Sequence, residues 1–155
     1  KELVIREAHL VETSRWTDSH QFGEGPLTAW CHGAPGIVLA LTKMPKFLDD
    51  SIVGKHFARA VEFSFQSGFY NSHCLCHGSL GNADILKEAQ IDNEQLREFN
   101  INVGQITNNI FRQGFTSFGN DQTLGLSIMT GVAGLGYGFL RLSGSCTVPS
   151  ILSLE

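Results

Sequence analysis

Apolar residues recur along the chain in two patterns, and each predicts a different kind of helix. Leu96, Phe99, Val103, Ile106 and Ile110 follow one another at spacings of three, four, three and four, so they share one face of a helix over residues 92–112. Asp92 with Gln95 fits a capping box at its start, and Gly114 fits a terminator. Val53, Phe57, Ala60 and Val61 predict a second one-faced helix over 51–66, capped by Asp50 or Ser51 and ended by Gly68. Residues 1–14 carry a weaker version through Val4, Ala8 and Val11.

The second pattern is apolar nearly all round. Residues 36–44 contain Ile37-Val38-Leu39-Ala40-Leu41 before Pro45 stops them, and 132–142 are similar, with Gly144 behind. Residues 82–89 form a shorter and more polar example. A helix apolar on every side must be surrounded by protein, and one-faced helices can surround it. Each inner segment follows the same glycine frame: Gly33-Ala34-Pro35-Gly36, Gly78-Ser79-Leu80-Gly81 and Gly131-Val132-Ala133-Gly134. The frames start 45 and then 53 residues apart, a period that points to stacked helix pairs. The expected architecture is all-α. Three repeats are too few to close a ring, and the sequence starts without a methionine, so a piece of a longer polypeptide is expected.

Composition narrows the function. At 155 residues the chain can bury about 70% of its unfolded surface, enough for a core. Its 11 Lys and Arg against 15 Asp and Glu, with no basic run, exclude a nucleic-acid binder that works by bulk charge. The most apolar stretch, 126–140, is shorter than the roughly 20 residues of a membrane span, and glycine interrupts it. Residues 1–10 mix charges with isolated apolar positions, so a signal peptide is not expected there, and Cys74 and Cys76 are too close to be useful staples. A reducing, cytoplasmic compartment is the expectation, with the cysteines free or on metal.

Cys31-His32-Gly33 and Cys76-His77-Gly78 sit directly before two of the frames. Equivalent ends of equivalent helices converge, which brings Cys31, Cys76 and His77 together. Two thiolates and an imidazole suit Zn²⁺, and three protein ligands leave a fourth position open, as in catalytic sites. The alternative is that both cysteines are small buried hydrophobes. Cys74 competes with Cys76 for the ligand role but is expected to pack elsewhere. His32 either lines the cavity, donates a hydrogen bond to a ligand or is structural. Trp30 either walls the site or packs in the core. Asn82 and Asp84 read as helix-capping residues, and His9, His20, His56 and Cys146 as structural or solvent-facing. Phosphate loops, a nucleophile elbow and a paired-carboxylate site have no match here.

The segment Thr28-Ala29-Trp30-Cys31-His32-Gly33-Ala34-Pro35-Gly36-Ile37 and the segment Cys76-His77-Gly78-Ser79-Leu80-Gly81-Asn82-Ala83-Asp84 resemble the two zinc-ligand motifs of lanthionine synthetase cyclases. The segment containing Met129-Thr130-Gly131-Val132-Ala133-Gly134-Leu135-Gly136-Tyr137-Gly138 is similar to the last glycine repeat of the class II lanthipeptide synthetases (LanM). The tail from Pro149 to Glu155 resembles their C-terminal end, and Arg15-Trp16-Thr17-Asp18 sits where that family often has Trp-Pro-Asp. The resemblance implies an α/α toroid, of which residues 1–155 are about the last three helix-pair repeats. It implies Zn²⁺ on Cys31, Cys76 and His77, and addition of a peptide cysteine thiolate to dehydroalanine or dehydrobutyrine. The implied partners are a dehydrated precursor peptide and the remainder of a bacterial, cytoplasmic synthetase chain. The family's upstream histidine acid, its upstream acidic residue and its dehydratase domain have no counterpart in the 155 residues, so the chain alone is expected to be an inefficient cyclase. Two other readings stand beside this one. One is a eukaryotic-type relative that uses glutathione, and the other is a non-catalytic helical repeat that binds peptides.

Overall fold

The computed structural model describes residues 28–69, 72–89, 91–117, 125–144 and 147–153. Five α-helices lie in these segments: α1 (Ala34–Thr42), α2 (Ser51–Ser67), α3 (Ser79–Glu88), α4 (Asn93–Gln113) and α5 (Val132–Ser143). A 3₁₀ turn, Pro45–Phe47, links α1 to α2. Among the described residues no strand forms, and the one bridge, Thr28 to Gly33, closes a loop. The expected helix over 1–14 lies outside the described residues.

The two one-faced helices form where the periodicity places them. Asp50 caps α2 by accepting the Ile52 N–H at 3.1 Å. Asp92 accepts the N–H groups of Glu94 and Gln95 at 2.9 Å each, and Gln95 Oε1 accepts the Asp92 N–H at 3.0 Å. That reciprocal box satisfies donors that the first turn of α4 leaves over. Gly114, at φ 87°, ends the helix in a conformation that side chains disfavour.

Helix α1 packs against α2 and α3, and α3 packs against α4 and α5. Helices α1, α3 and α5 therefore make an inner row, with α2 and α4 outside it, which is the alternation of an α/α toroid. The core runs through Val38, Val61, Phe65, Leu75, Leu80, Ile85, Leu86 and Tyr137. The expectation for the inner helices needs one correction. Every residue of α3 from Ser79 to Leu86 is buried although its sequence is the most polar of the three, while α5 exposes Val132 and Leu140. The reason is position: α3 has neighbours on both flanks, and α5 packs chiefly on α3.

Asn82 Nδ2 and the Asp84 carboxylate, buried on α3, find partners outside the helix, and this overturns their reading as caps. The cap of α3 is Gly78, with no side-chain hydrogen bond. Asp84, fully buried, accepts Arg141 Nε at 2.6 Å and Ser150 Oγ at 2.8 Å. Arg141 also donates to Glu88 and to the Val148 carbonyl. Tyr137 O–H donates to the Pro149 carbonyl at 2.9 Å and accepts the Ile151 N–H at 2.8 Å. The tail at 147–153 is thus strapped across α3 and α5.

The glycine frame has a steric cause. The closing glycine of each frame, Gly36, Gly81 or Gly134, is the third residue of its helix. A Cβ on it would come closer than 3.0 Å to the carbonyl oxygen of the residue six positions back: Trp30, Leu75 or Ile128. Each inner helix therefore begins with its backbone pressed on the loop that leads into it. By contrast, a Cβ on Gly104 in α4 would meet nothing within 4 Å.

Two stability series check this account by urea unfolding. Gly81→Ala should destabilise by about 1–3 kcal/mol through overpacking, and Gly104→Ala should stabilise by roughly 0.5–1 kcal/mol. Arg141→Met should cost about 3–5 kcal/mol because it strands the Asp84 carboxylate, and adding Asp84→Asn should recover part of the loss.

Candidate metal centre

Three loops lead into the inner helices and are tied to one another. The first, at 28–33, is closed by its bridge and by the Ala29 N–H donating to the His32 carbonyl at 3.2 Å. The second, at 72–78, is closed by the Ser79 N–H to the Ser72 carbonyl at 2.8 Å. The third, at 125–131, is closed by the Val132 N–H to the Gly125 carbonyl at 3.0 Å. The Met129 carbonyl accepts the N–H groups of both Leu75 and Cys76 at 3.0 Å, joining the third loop to the second. Asn82 Nδ2 joins the second repeat to the first by donating to the carbonyls of Thr28 at 2.7 Å and Gly68 at 2.8 Å.

This network brings together the three residues expected from spacing. Cys31 Sγ lies 3.4 Å from His77 Nε2, Cys76 Sγ lies 3.7 Å from His77 Nε2, and the two sulfurs are 3.8 Å apart. Ligands at the usual zinc bond lengths on a tetrahedral ion are about 3.8 Å apart for two sulfurs and about 3.6 Å for sulfur and nitrogen. The donor set therefore fits one such ion. Cys31 is exposed, and Cys76 and His77 are half-buried, so the group opens to solvent on one side.

Electrostatics point the same way. Burial, then the hydrogen bond to Cys31 and the charges of Cys31 and Cys74, push the Cys76 thiol up to about 12. Two thiols this close do not both ionise unless a cation balances them, which is what a divalent ion does. Burial first, and His32 second, lower the pKa of His77 and favour the neutral imidazole that can ligate.

The remaining candidates separate. Cys74 is buried, its sulfur 3.4 Å from the His77 N–H and 3.5 Å from Ser72 Oγ, so it supports the His77 backbone. His32 stands at the group: its Nδ1 is 2.9 Å from Cys31 Sγ, and its ring centroid is 5.4 Å from that of His77. Cys31, His32 and His77 offer donor atoms all within 4.8 Å of one another. Trp30 is half-buried and packs against the core, and His56 is buried on α2. His9, His20 and Cys146 lie outside the described residues. Asn82 as a strap between repeats went unforeseen, since its partners are backbone carbonyls that carry no sequence signal. An acidic cleft lined by Glu62, Gln66, Asp92, Glu94 and Glu98 shares no residue with the group.

Comparison with known proteins agrees with the motifs. The family model "Lanthionine synthetase C-like protein" matches residues 1–153, and the chain belongs to that family, whose fold is an α/α toroid. It is 31% identical over 144 residues to the Lacticin 481/lactococcin biosynthesis protein LcnDR2 of Lactococcus lactis subsp. lactis. The match covers 81% of this chain and 15% of that protein, so the chain spans only a small part of its relative. No solved structure matches the chain.

His73 provides a pH test of the loop. Its Nδ1 accepts the Thr116 N–H at 3.0 Å, and burial lowers its pKa from 6.5. A depressed histidine pKa means that the unfolded chain takes up the proton first as pH falls, so stability is full above 6.5 and declines below it. Urea midpoints measured from about pH 8 down to 5 should show this decline, and His73→Asn should make it shallower, leaving the part that His77, also lowered, contributes.

Proposed function

We propose that residues 1–155 form the C-terminal portion of a LanC-like cyclase domain that makes lanthionine and methyllanthionine rings in a dehydrated precursor peptide, with Zn²⁺ on Cys31, Cys76 and His77. The observation that carries this reading is the 3.4–3.8 Å triangle of their donor atoms. Zinc bound there supplies a Lewis acid that takes a peptide cysteine as thiolate at neutral pH. Cys31 and Cys76 place two negative charges beside that sulfur and keep it electron-rich, while neutral His77 adds none. Cys74 and Ser72 hold the His77 backbone, and Asn82 keeps the two ligand loops in register.

The bond accounting is simple. The peptide thiol loses its proton, its sulfur forms a bond to the β-carbon of dehydroalanine or dehydrobutyrine, and the carbon–carbon π bond breaks. The α-carbon then takes a proton from a general acid. No residue of the described group is assigned that role, and the acid is proposed to come from the rest of the synthetase. Similarity to a lacticin 481 biosynthesis protein favours a peptide substrate over glutathione and a class II synthetase as the parent chain. No described helix is long and apolar enough to cross a membrane, and the free thiols suit a reducing bacterial cytoplasm.

Ring formation leaves peptide mass unchanged and removes a free thiol, so thiol alkylation followed by mass spectrometry reads it. The chain joined to the remainder of its synthetase should consume peptide thiols, and the chain alone should do so poorly. Cys31→Ala, Cys76→Ala and His77→Ala in the joined protein should each slow the reaction by at least about tenfold. Full activity in all three variants would contradict the reading.

A further inference from the structure

The glycine frames put Cys31 and Cys76 at the same register of successive repeats, and the third repeat has Met129 there, so two thiols meet at this register and no third joins them. Both are free thiols, and their sulfurs lie 3.8 Å apart. A disulfide bond is about 2.05 Å long. The remaining gap is small, and each side chain stands on a loop, where it can turn without disturbing a helix. Access differs among the cysteines. Cys31 is exposed and Cys76 is half-buried, whereas Cys74 is buried, with its sulfur against Ser72 Oγ and the His77 N–H. An oxidant arriving from solvent therefore meets Cys31 first, and the thiol within reach of it is Cys76.

We propose that Cys31 and Cys76 form a reversible oxidation site, in which peroxide joins them by a disulfide across the first and second repeats. One peroxide oxygen passes to the Cys31 sulfur, giving a sulfenic acid and one water. The Cys76 sulfur then attacks, the sulfur–oxygen bond breaks, the sulfur–sulfur bond forms and a second water leaves. The sulfur pair loses two electrons, and peroxide is reduced to two waters. The two protons come from the thiols, or from solvent where a metal holds the pair as thiolates. A dithiol reductant reverses the change by exchange: it returns hydrogen to both sulfurs and leaves as its own disulfide. The consequence for zinc rests on the reading above. With both thiolates spent, His77 alone does not retain the ion, so oxidation empties the site and reduction restores it. Transient disulfides of this kind are the ones that reducing compartments permit. The proposed substrate is itself a peptide thiol, open to the same oxidants, so the site shuts down under the conditions that spoil its substrate.

Hydrogen peroxide added to the purified, zinc-supplemented protein tests this without reference to ring formation. Remaining thiols are alkylated, the protein is digested without reduction, and mass spectrometry maps the linked peptides while a chromophoric chelator reads released zinc. A Cys31–Cys76 crosslink should form at least about tenfold faster than any pairing of Cys74. About one zinc should leave per crosslink, and dithiothreitol should reverse the crosslink and let zinc rebind. Cys74→Ser should form the same crosslink, with circular dichroism to confirm that it is folded. Sulfinic acid on Cys31 without a crosslink, or a crosslink that uses Cys74, would overturn the proposal and leave the zinc reading intact. A protein that takes up no zinc yet forms the crosslink would support the oxidation site and remove the zinc reading. Neither zinc nor crosslink in a folded wild type would overturn both.

Discussion

The arrangement depends on the close approach between the third residue of each inner helix and a carbonyl oxygen six residues earlier. Only glycine allows it at Gly36, Gly81 and Gly134. Where the backbone is pressed this tightly, the loop before the helix has little freedom, and the two residues before its closing glycine are presented at the same place in every repeat. In the first two repeats those residues are cysteine and histidine. A steric constraint on the backbone thus becomes a chemical group, without any of its members being adjacent in sequence across the repeats.

Tight loops alone do not align one repeat with the next. Hydrogen bonds to backbone carbonyls do that: Asn82 reaches Thr28 and Gly68, and the Met129 carbonyl gathers Leu75 and Cys76. Further along α3, Asp84 and Arg141 form a buried pair that fixes α5 and the tail on the same helix. One end of α3 therefore presents Cys76 and His77, and the rest of it anchors the scaffold. Its burial goes with this double role, because the Asn82 Nδ2 and the Asp84 carboxylate buried on it are both spent on partners from outside the helix.

The sequence made much of this legible. The outer helices were readable from spacing, since a one-faced helix shows its period, and the Asp92–Gln95 box is local. The convergence of Cys31 with Cys76 and His77 was readable because repetition converts sequence register into spatial register. What stayed hidden is long-range. Asn82 and Asp84 look like capping residues when only their neighbours are known, and their partners lie 54 to 66 residues away, apart from Gly68. The approach of His32 to Cys31 depends on how one short loop curls, which no periodicity encodes. The exposure of Val132 and Leu140 on α5 was equally unreadable, because apolar patterning reports what a helix can bury and not which neighbours it has.

The central claim is that Cys31, Cys76 and His77 hold one zinc ion between them. Elemental analysis of the purified protein beside Cys31→Ala, Cys76→Ala and His77→Ala tests it most directly. The account predicts about one zinc per chain in the wild type and a sharp fall in every variant. A folded wild type without zinc, or variants that keep the wild-type content, would contradict it.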